Sequence, residues 1–176
     1  MRGGDEINAY LESNDLSVKM EAVKMILDAA GIEYEECKDN LLMITVNDLV
    51  VGIMWEDLGE NYGDFTPSIF KDTKKIKNLK GGLIRLNPNK LKRGGDLFMT
   101  LGHELVHAYH PLYHWDTMKT KATISVKRTF TEYIAYTWSM IFVKNVSYVS
   151  QSHINDITIN YYHYKQKWMT RGEWFC

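Results

Sequence analysis

Residues 100–110 read TLGHELVHAYH, placing His103 and His107 four residues apart with Glu104 directly after the first. On an α-helix, residues four apart are neighbours, about 5–6 Å between Cβ atoms, so the two imidazoles can point at one ion. Glu104 sits about 100° around the helix from His103, awkward as a third ligand but able to hydrogen-bond a water held beside the ion. The flanking pattern is helical. Phe98, Leu101, Leu105 and Ala108 form an apolar stripe about opposite the histidines, and Pro111 ends the run near His110. That stripe seats the helix on a core and leaves the histidines for a cleft. With six histidines and eleven glutamates in the chain, this spacing arises by chance with a probability on the order of one per cent, so the match is informative. Zinc lowers the pKa of bound water to ~7, and a carboxylate placed like Glu104 takes the proton as general base for attack on a carbonyl.

A catalytic zinc normally has three protein ligands and one open position. The candidates for the third are His110, His114, Asp116 and Glu132. His110 is seven residues from His103, a rise of about 10.5 Å, too far for both to reach an ion also held by His107. His114 lies past Pro111 and stays open. Glu132 rests on charge burial. In TFTEYIAYTWSMIFV, residues 129–143, it is the only acid, among Phe130, Ile134, Trp138 and Ile141. A buried lone carboxylate must be coordinated, salt-bridged or turned outward, because an unpaired buried ion costs several kcal/mol.

Further out, Asn14 and Asp15 offer N-cap oxygens to an amphipathic helix carrying Leu16, Met20, Val23, Ile26, Leu27 and Ala30, which Gly31 ends. Residues 41–46 and 49–55 are short, apolar and β-branched, with Asn47-Asp48 between them as a hairpin turn. From Glu56 to Lys80 the periodicity disappears, predicting a long polar connection whose lysines read as a solvated loop or a binding patch. Leu83, Ile84, Arg85, Leu86 and Asn87 then alternate as a strand that Pro88 ends, which predicts a sheet edge. Two more helices are expected, at about 125–143 and about 150–168.

Composition limits the partners. The 176 residues are 45% hydrophobic, enough for one domain with a core of its own. Twenty-one basic and 22 acidic residues give a net charge of −1, so no global field draws the chain to nucleic acid or anionic lipid. Residues 1–15 lack a signal-peptide apolar run and no later segment approaches ~20 apolar residues, so a soluble unit without membrane insertion is expected. Cys37 and Cys176 form no CxxC pair and read as reduced thiols. There is no P-loop and no Gly-x-Ser-x-Gly elbow.

His103-Glu104-x-x-His107 on one helix, followed 25 residues after His107 by a glutamate on the next, resembles the gluzincin branch of zincin metallopeptidases. More narrowly, LNPNKL, TLGHELVHAY and TEYIAYTW are similar to phrases in zincin-like toxin domains at the C-terminal tips of bacterial polymorphic and rearrangement-hotspot repeat proteins. The layout resemblance covers about residues 15–145, with motif-level identity at 102–108 and 131–136. It implies an α+β minimal zincin fold. The order is a backing helix, a small mixed sheet with an edge strand, the active-site helix, and a C-terminal helical part carrying the third ligand. The whole is a single domain, 1–176, with an α/β part at about 15–110 and a helical part at about 122–170. It further implies one Zn2+ per chain on His103, His107 and Glu132, with Glu104 as general base. The strand Leu83 to Asn87 would pair with the backbone of a protein or peptide substrate. The implied activity is a zinc endopeptidase, as a toxin or effector protease with an immunity or inhibitor protein as partner. It would be cytoplasmic or delivered to a target cell within a larger polypeptide.

The chain departs from the pattern in two ways. Position 136 is Tyr136, where larger gluzincins often have an acid that orients a zinc histidine, and no downstream residue is clearly the oxyanion stabiliser. Tyr136, one turn beyond Glu132, is the first candidate, with His153 and His163 behind it. A metzincin signature is missing, since His110 replaces the glycine and Tyr113 the third histidine. The alternative from another class is a non-catalytic zinc-binding interaction module whose structural site His110 or His114 closes.

Overall fold

In a computed structural model, residues 3–67, 79–110 and 124–171 are described. The sequence readings on Pro111, Tyr113, His114, Asp116, Cys176 and most of the lysines between 56 and 80 fall outside them. The architecture is α+β. Two N-terminal helices, α1 (Gly4–Glu12) and α2 (Leu16–Ala29), precede strands β1 (Tyr34–Cys37), β2 (Leu41–Val46), β3 (Leu49–Trp55), β4 (Gly63–Thr66) and β5 (Gly82–Leu86). Three longer helices follow: α3 (Gly94–Tyr109), α4 (Ile124–Phe142) and α5 (Gln151–Arg171). Among the described residues no helix is long and apolar enough to cross a membrane.

Local chemistry sets most of these boundaries. The Asp15 carboxylate accepts the Ser17 amide at the start of α2, 2.8 Å, and Gly31 at φ 69° carries the chain out of it. Asn47 and Asp48, at φ 50° and 64°, make the tight left-handed turn that matches the twist of β2 and β3. The β1 strand and helix α1 went unread in the sequence because both are short: β1 is only Tyr-Glu-Glu-Cys, and α1 is nine residues whose apolar face is Ile7, Tyr10 and Leu11.

The mixed sheet has the order β1-β2-β3-β5-β4, with β3 and β5 parallel and the other pairs antiparallel. This corrects the edge assignment. β5 is interior, hydrogen-bonded by β3 on one side and by β4 on the other, and among the described residues the edge on the cleft side is β4. The reason is that Leu83, Ile84 and Leu86 fill the core, while Arg85 and Asn87 hold β4 in place. Arg85 forks onto both oxygens of Asp64, 2.8 and 2.5 Å. Asn87 Nδ2 donates to the carbonyls of Gly59 and Asn61, 3.0 and 2.7 Å, staging the turn before β4. The expected featureless stretch 56–80 therefore contains a strand, hidden from periodicity because Gly-Asp-Phe-Thr is four residues with no apolar alternation.

The core lies between the sheet and the helices α1, α2 and α3, around Leu11, Val23, Leu27, Ile53, Leu97 and Leu101. Burial of such side chains is worth about 1.5–3 kcal/mol each. A second apolar cluster, Met99, Val143 and Ile157 with Trp138 packed against it, joins α3 to α4 and α5. The α3–α4 crossing is close because position 102 is glycine: a Cβ there would lie 2.0 Å from the Trp138 ring.

Candidate metal centre

Helix α3 is sandwiched, with its apolar stripe on the core and its histidines under α4. His103 and His107 are both buried. Their Nε2 atoms are 3.2 Å apart. Glu132, one face of α4, brings Oε2 to 3.5 Å from His103 Nε2 and 3.3 Å from His107 Nε2. Among the described residues these three are the group able to hold a metal ion. The triangle can be tested against a real ion. A tetrahedral site with bonds of about 2.0–2.1 Å has ligand–ligand edges of about 3.3–3.4 Å, and the observed edges of 3.2, 3.3 and 3.5 Å bracket that value. Two neutral imidazoles and one carboxylate are also a donor set suited to zinc.

The tautomer needed for ligation is fixed from behind. Ser139 donates its hydroxyl to the Ala135 carbonyl, 3.1 Å, so its oxygen is left to accept from His103 Nδ1, 3.2 Å away. With the proton on Nδ1, His103 Nε2 presents a bare lone pair to Glu132 and His107. Burial pulls the His103 imidazole down to about 4, against the opposing pull of the Glu132 carboxylate as acceptor, which keeps it neutral. Burial works to raise the Glu132 carboxyl, but the two imidazoles outweigh it and hold the group well below the usual carboxylate range. Glu104 is not part of the triangle. It is buried, and burial first, then Glu132 and Asp64, pushes its carboxyl far up.

The triangle opens onto a cleft of about 680 Å³. Its floor is α3, with Thr100, His103, Glu104 and His107, one wall is β4 with the following Pro67, and the other is α4 with α5. The β4 wall comes this close to the floor because residue 63 is glycine: a Cβ would meet Thr100 Cγ2 at 2.6 Å and the Arg85 carbonyl at 3.0 Å. Tyr136 lines the cleft with its ring edge on His103, centroids 4.4 Å apart, and stacks on Tyr164. Burial, then Glu132, pushes its hydroxyl pKa up, so it stays a phenol. His153 also lines the cleft. Its Nδ1 is 3.0 Å from Asp96 Oδ1, and its ring stacks on Tyr62, centroids 4.1 Å apart. Asp96 accepts the Ser150 amide as well, 2.8 Å, tying the first turn of α3 to the start of α5.

His103, Glu104, His107, Glu132, Tyr136 and His153 thus converge on one cleft. His163 is exposed and does not line it. His110 stands at the end of α3 with its ring against Phe130, outside the convergent group. Sequence reasoning missed Ser139, Asp96 and the β4 wall. Ser139 was findable as the residue seven after Glu132, on the same face of a helix; Asp96 and Gly63 carry no local signal. A scan against protein-family models gives no match, and searches of curated proteins and of solved structures find no similar protein.

Proposed function

We propose that the protein is a zinc-dependent endopeptidase. The observation that carries this reading is the triangle of His103, His107 and Glu132, with edges sized for a tetrahedral ion, beside an unliganded glutamate in an open cleft. When bound, zinc supplies a Lewis acid that activates water near neutral pH and polarises a carbonyl. The chain's own groups do the rest. The burial and the neighbouring carboxylates that push the Glu104 carboxyl up would be countered by a cation on the three ligands, and the ionised Glu104 would then accept the proton of the attacking water and deliver it to the leaving amine. The Tyr136 phenol donates to the carbonyl oxygen as negative charge develops there. The β4 strand lies along the cleft as one of its walls, the side along which an extended peptide would run. An open cleft on the fourth side favours catalysis over the closed structural site of a binding module.

The test is elemental analysis joined to peptide hydrolysis. One zinc per chain, with hydrolysis reduced about 10²–10⁴-fold in Glu104→Gln at undiminished zinc content, is the expected result. Unchanged hydrolysis in that variant sinks the reading. The toxin role rests on the resemblance alone, and equal toxicity of wild type and Glu104→Gln expressed in a host cell would end it.

A further inference from the structure

The α5 wall has a charge pattern of its own. His153, Asp156, Ile157, Asn160 and Tyr164 recur every three or four residues, so they share one face of the helix, and all five line the cleft. Among the described residues five carboxylates line the cleft: Glu60, Asp64, Glu104, Glu132 and Asp156. Glu132 faces two imidazoles, Asp64 is gripped by Arg85, Glu60 is paired with Lys90 at 2.8 Å, and Glu104 is the general base. Asp156 alone has neither a cation within 4.0 Å among the described residues nor a role in the chemistry.

It is nonetheless held in place. Asn160 Nδ2 donates both to the Asp156 backbone carbonyl, 2.9 Å, and to its Oδ1, 3.1 Å. A carboxylate has about four lone-pair sites, so the remaining acceptor capacity is directed by a fixed rotamer and is only half-buried. Two turns further along the same α5 face, Tyr164 stacks on Tyr136, whose ring rests on His103, so the face that carries Asp156 runs beside the metal centre. Lys127 and Arg128, from the first turns of α4, also line the cleft.

We infer that Asp156, oriented by Asn160, is a specificity residue that takes a lysine or arginine side chain of the substrate beside the scissile bond. The inference rests on the peptidase reading, but binding tests it separately. The probes are N-acetylated nonapeptides, uncharged except for one arginine moved through every position, each compared with its norleucine counterpart. Anisotropy titrations use zinc-loaded Glu104→Gln, which binds without turnover, and cleavage is followed with the wild-type protein. At one position arginine should bind about tenfold tighter than norleucine, as expected for a charge-assisted contact in a part-buried site. Asp156→Asn should abolish that ratio, and Asp156→Lys should reverse it in favour of glutamate at the same position. A preference that survives Asp156→Asn, that appears only with a free amino terminus, or that never appears overturns the inference. An arginine preference lost in Asp156→Asn with no cleavage by the wild type supports the subsite and refutes the peptidase.

Discussion

The junction of α3 and α4 and the two walls across the cleft are built on different physical terms. At the junction, two buried imidazoles and one carboxylate lie within 4.8 Å of one another, backed by Ser139 and packed through the Gly102–Trp138 contact. Each partner is on a helix, so its position follows from 3.6-residue periodicity and close packing. The walls touch where Tyr62 stacks on His153, but each is anchored by polar bonds of its own. β4 is held by Arg85 and Asn87 through polar bonds that span 21 to 28 residues, and α5 is anchored by Asp96 from 54 residues away. The lesson is that metal affinity and substrate handling should respond to separate substitutions.

The sharpest way to break that separation is to remove a ligand. Glu132→Ala leaves two ligands and two buried imidazoles without their carboxylate. Zinc affinity should fall by more than the 10–100-fold typical of an outer hydrogen-bond partner, as measured by competition with a chromophoric chelator. Zinc content equal to wild type would remove Glu132 from the site and turn attention to His114.

Gly63→Ala works on the wall alone. The new methyl meets a backbone carbonyl of β5 at 3.0 Å and Thr100 at 2.6 Å, so β4 must move away from the floor. A displacement of about 1 Å near the reacting groups can lower kcat/KM on the order of 10²-fold, while zinc affinity stays within a factor of about two. A parallel loss of zinc would show that wall and metal centre form one unit.

The same contrast explains what could be read from the letters. HELVH on an amphipathic period and a lone acid at 132 in an apolar helix are local facts, and the structure brings His103, His107 and Glu132 together. Helices α2, α4 and α5 and the β2–β3 hairpin were legible for the same reason. The edge of the sheet was not. Pro88 ends β5, and an end marked by proline reads as an edge; among the described residues the edge is β4, four residues whose place is set by Arg85 and Asn87 reaching back along the chain. A salt bridge between positions 64 and 85 leaves no periodic trace. Asp96 and His153, 57 residues apart in sequence and 3.0 Å apart in space, are invisible for that reason too.

Ser139→Ala is a smaller perturbation of the metal side. It deletes the acceptor for His103 Nδ1 without touching a ligand, so the ring keeps its place in the packing but loses its fixed tautomer. Zinc affinity should fall about tenfold, at the low end for such partners because the hydroxyl is neutral. Ser139→Thr, which keeps the oxygen, should recover most of the loss. Failure of threonine to rescue, with threonine folded by circular dichroism, would assign the effect to packing.

The smallest effect is expected where the two regions do not reach. Asn47, in the left-handed turn between β2 and β3, donates its Nδ2 to the Tyr109 carbonyl, 3.2 Å, and so caps the last turn of α3. Alanine at 47 loses that exposed hydrogen bond and the local side-chain hydrogen bonding by which asparagine tolerates the left-handed region, a conformation that costs other L-residues about 1–2 kcal/mol. The sum should be about 1–2 kcal/mol of stability, a melting shift of roughly 2–8 °C for a domain of this size. Zinc affinity and peptide hydrolysis should not change, because His107 is held by burial and by Glu132, two residues inside the capped end. Should Asn47→Ala instead weaken zinc more than Ser139→Ala does, the end of α3 would be what positions His107, and the metal centre would depend on a hairpin 62 residues away as much as the walls depend on theirs.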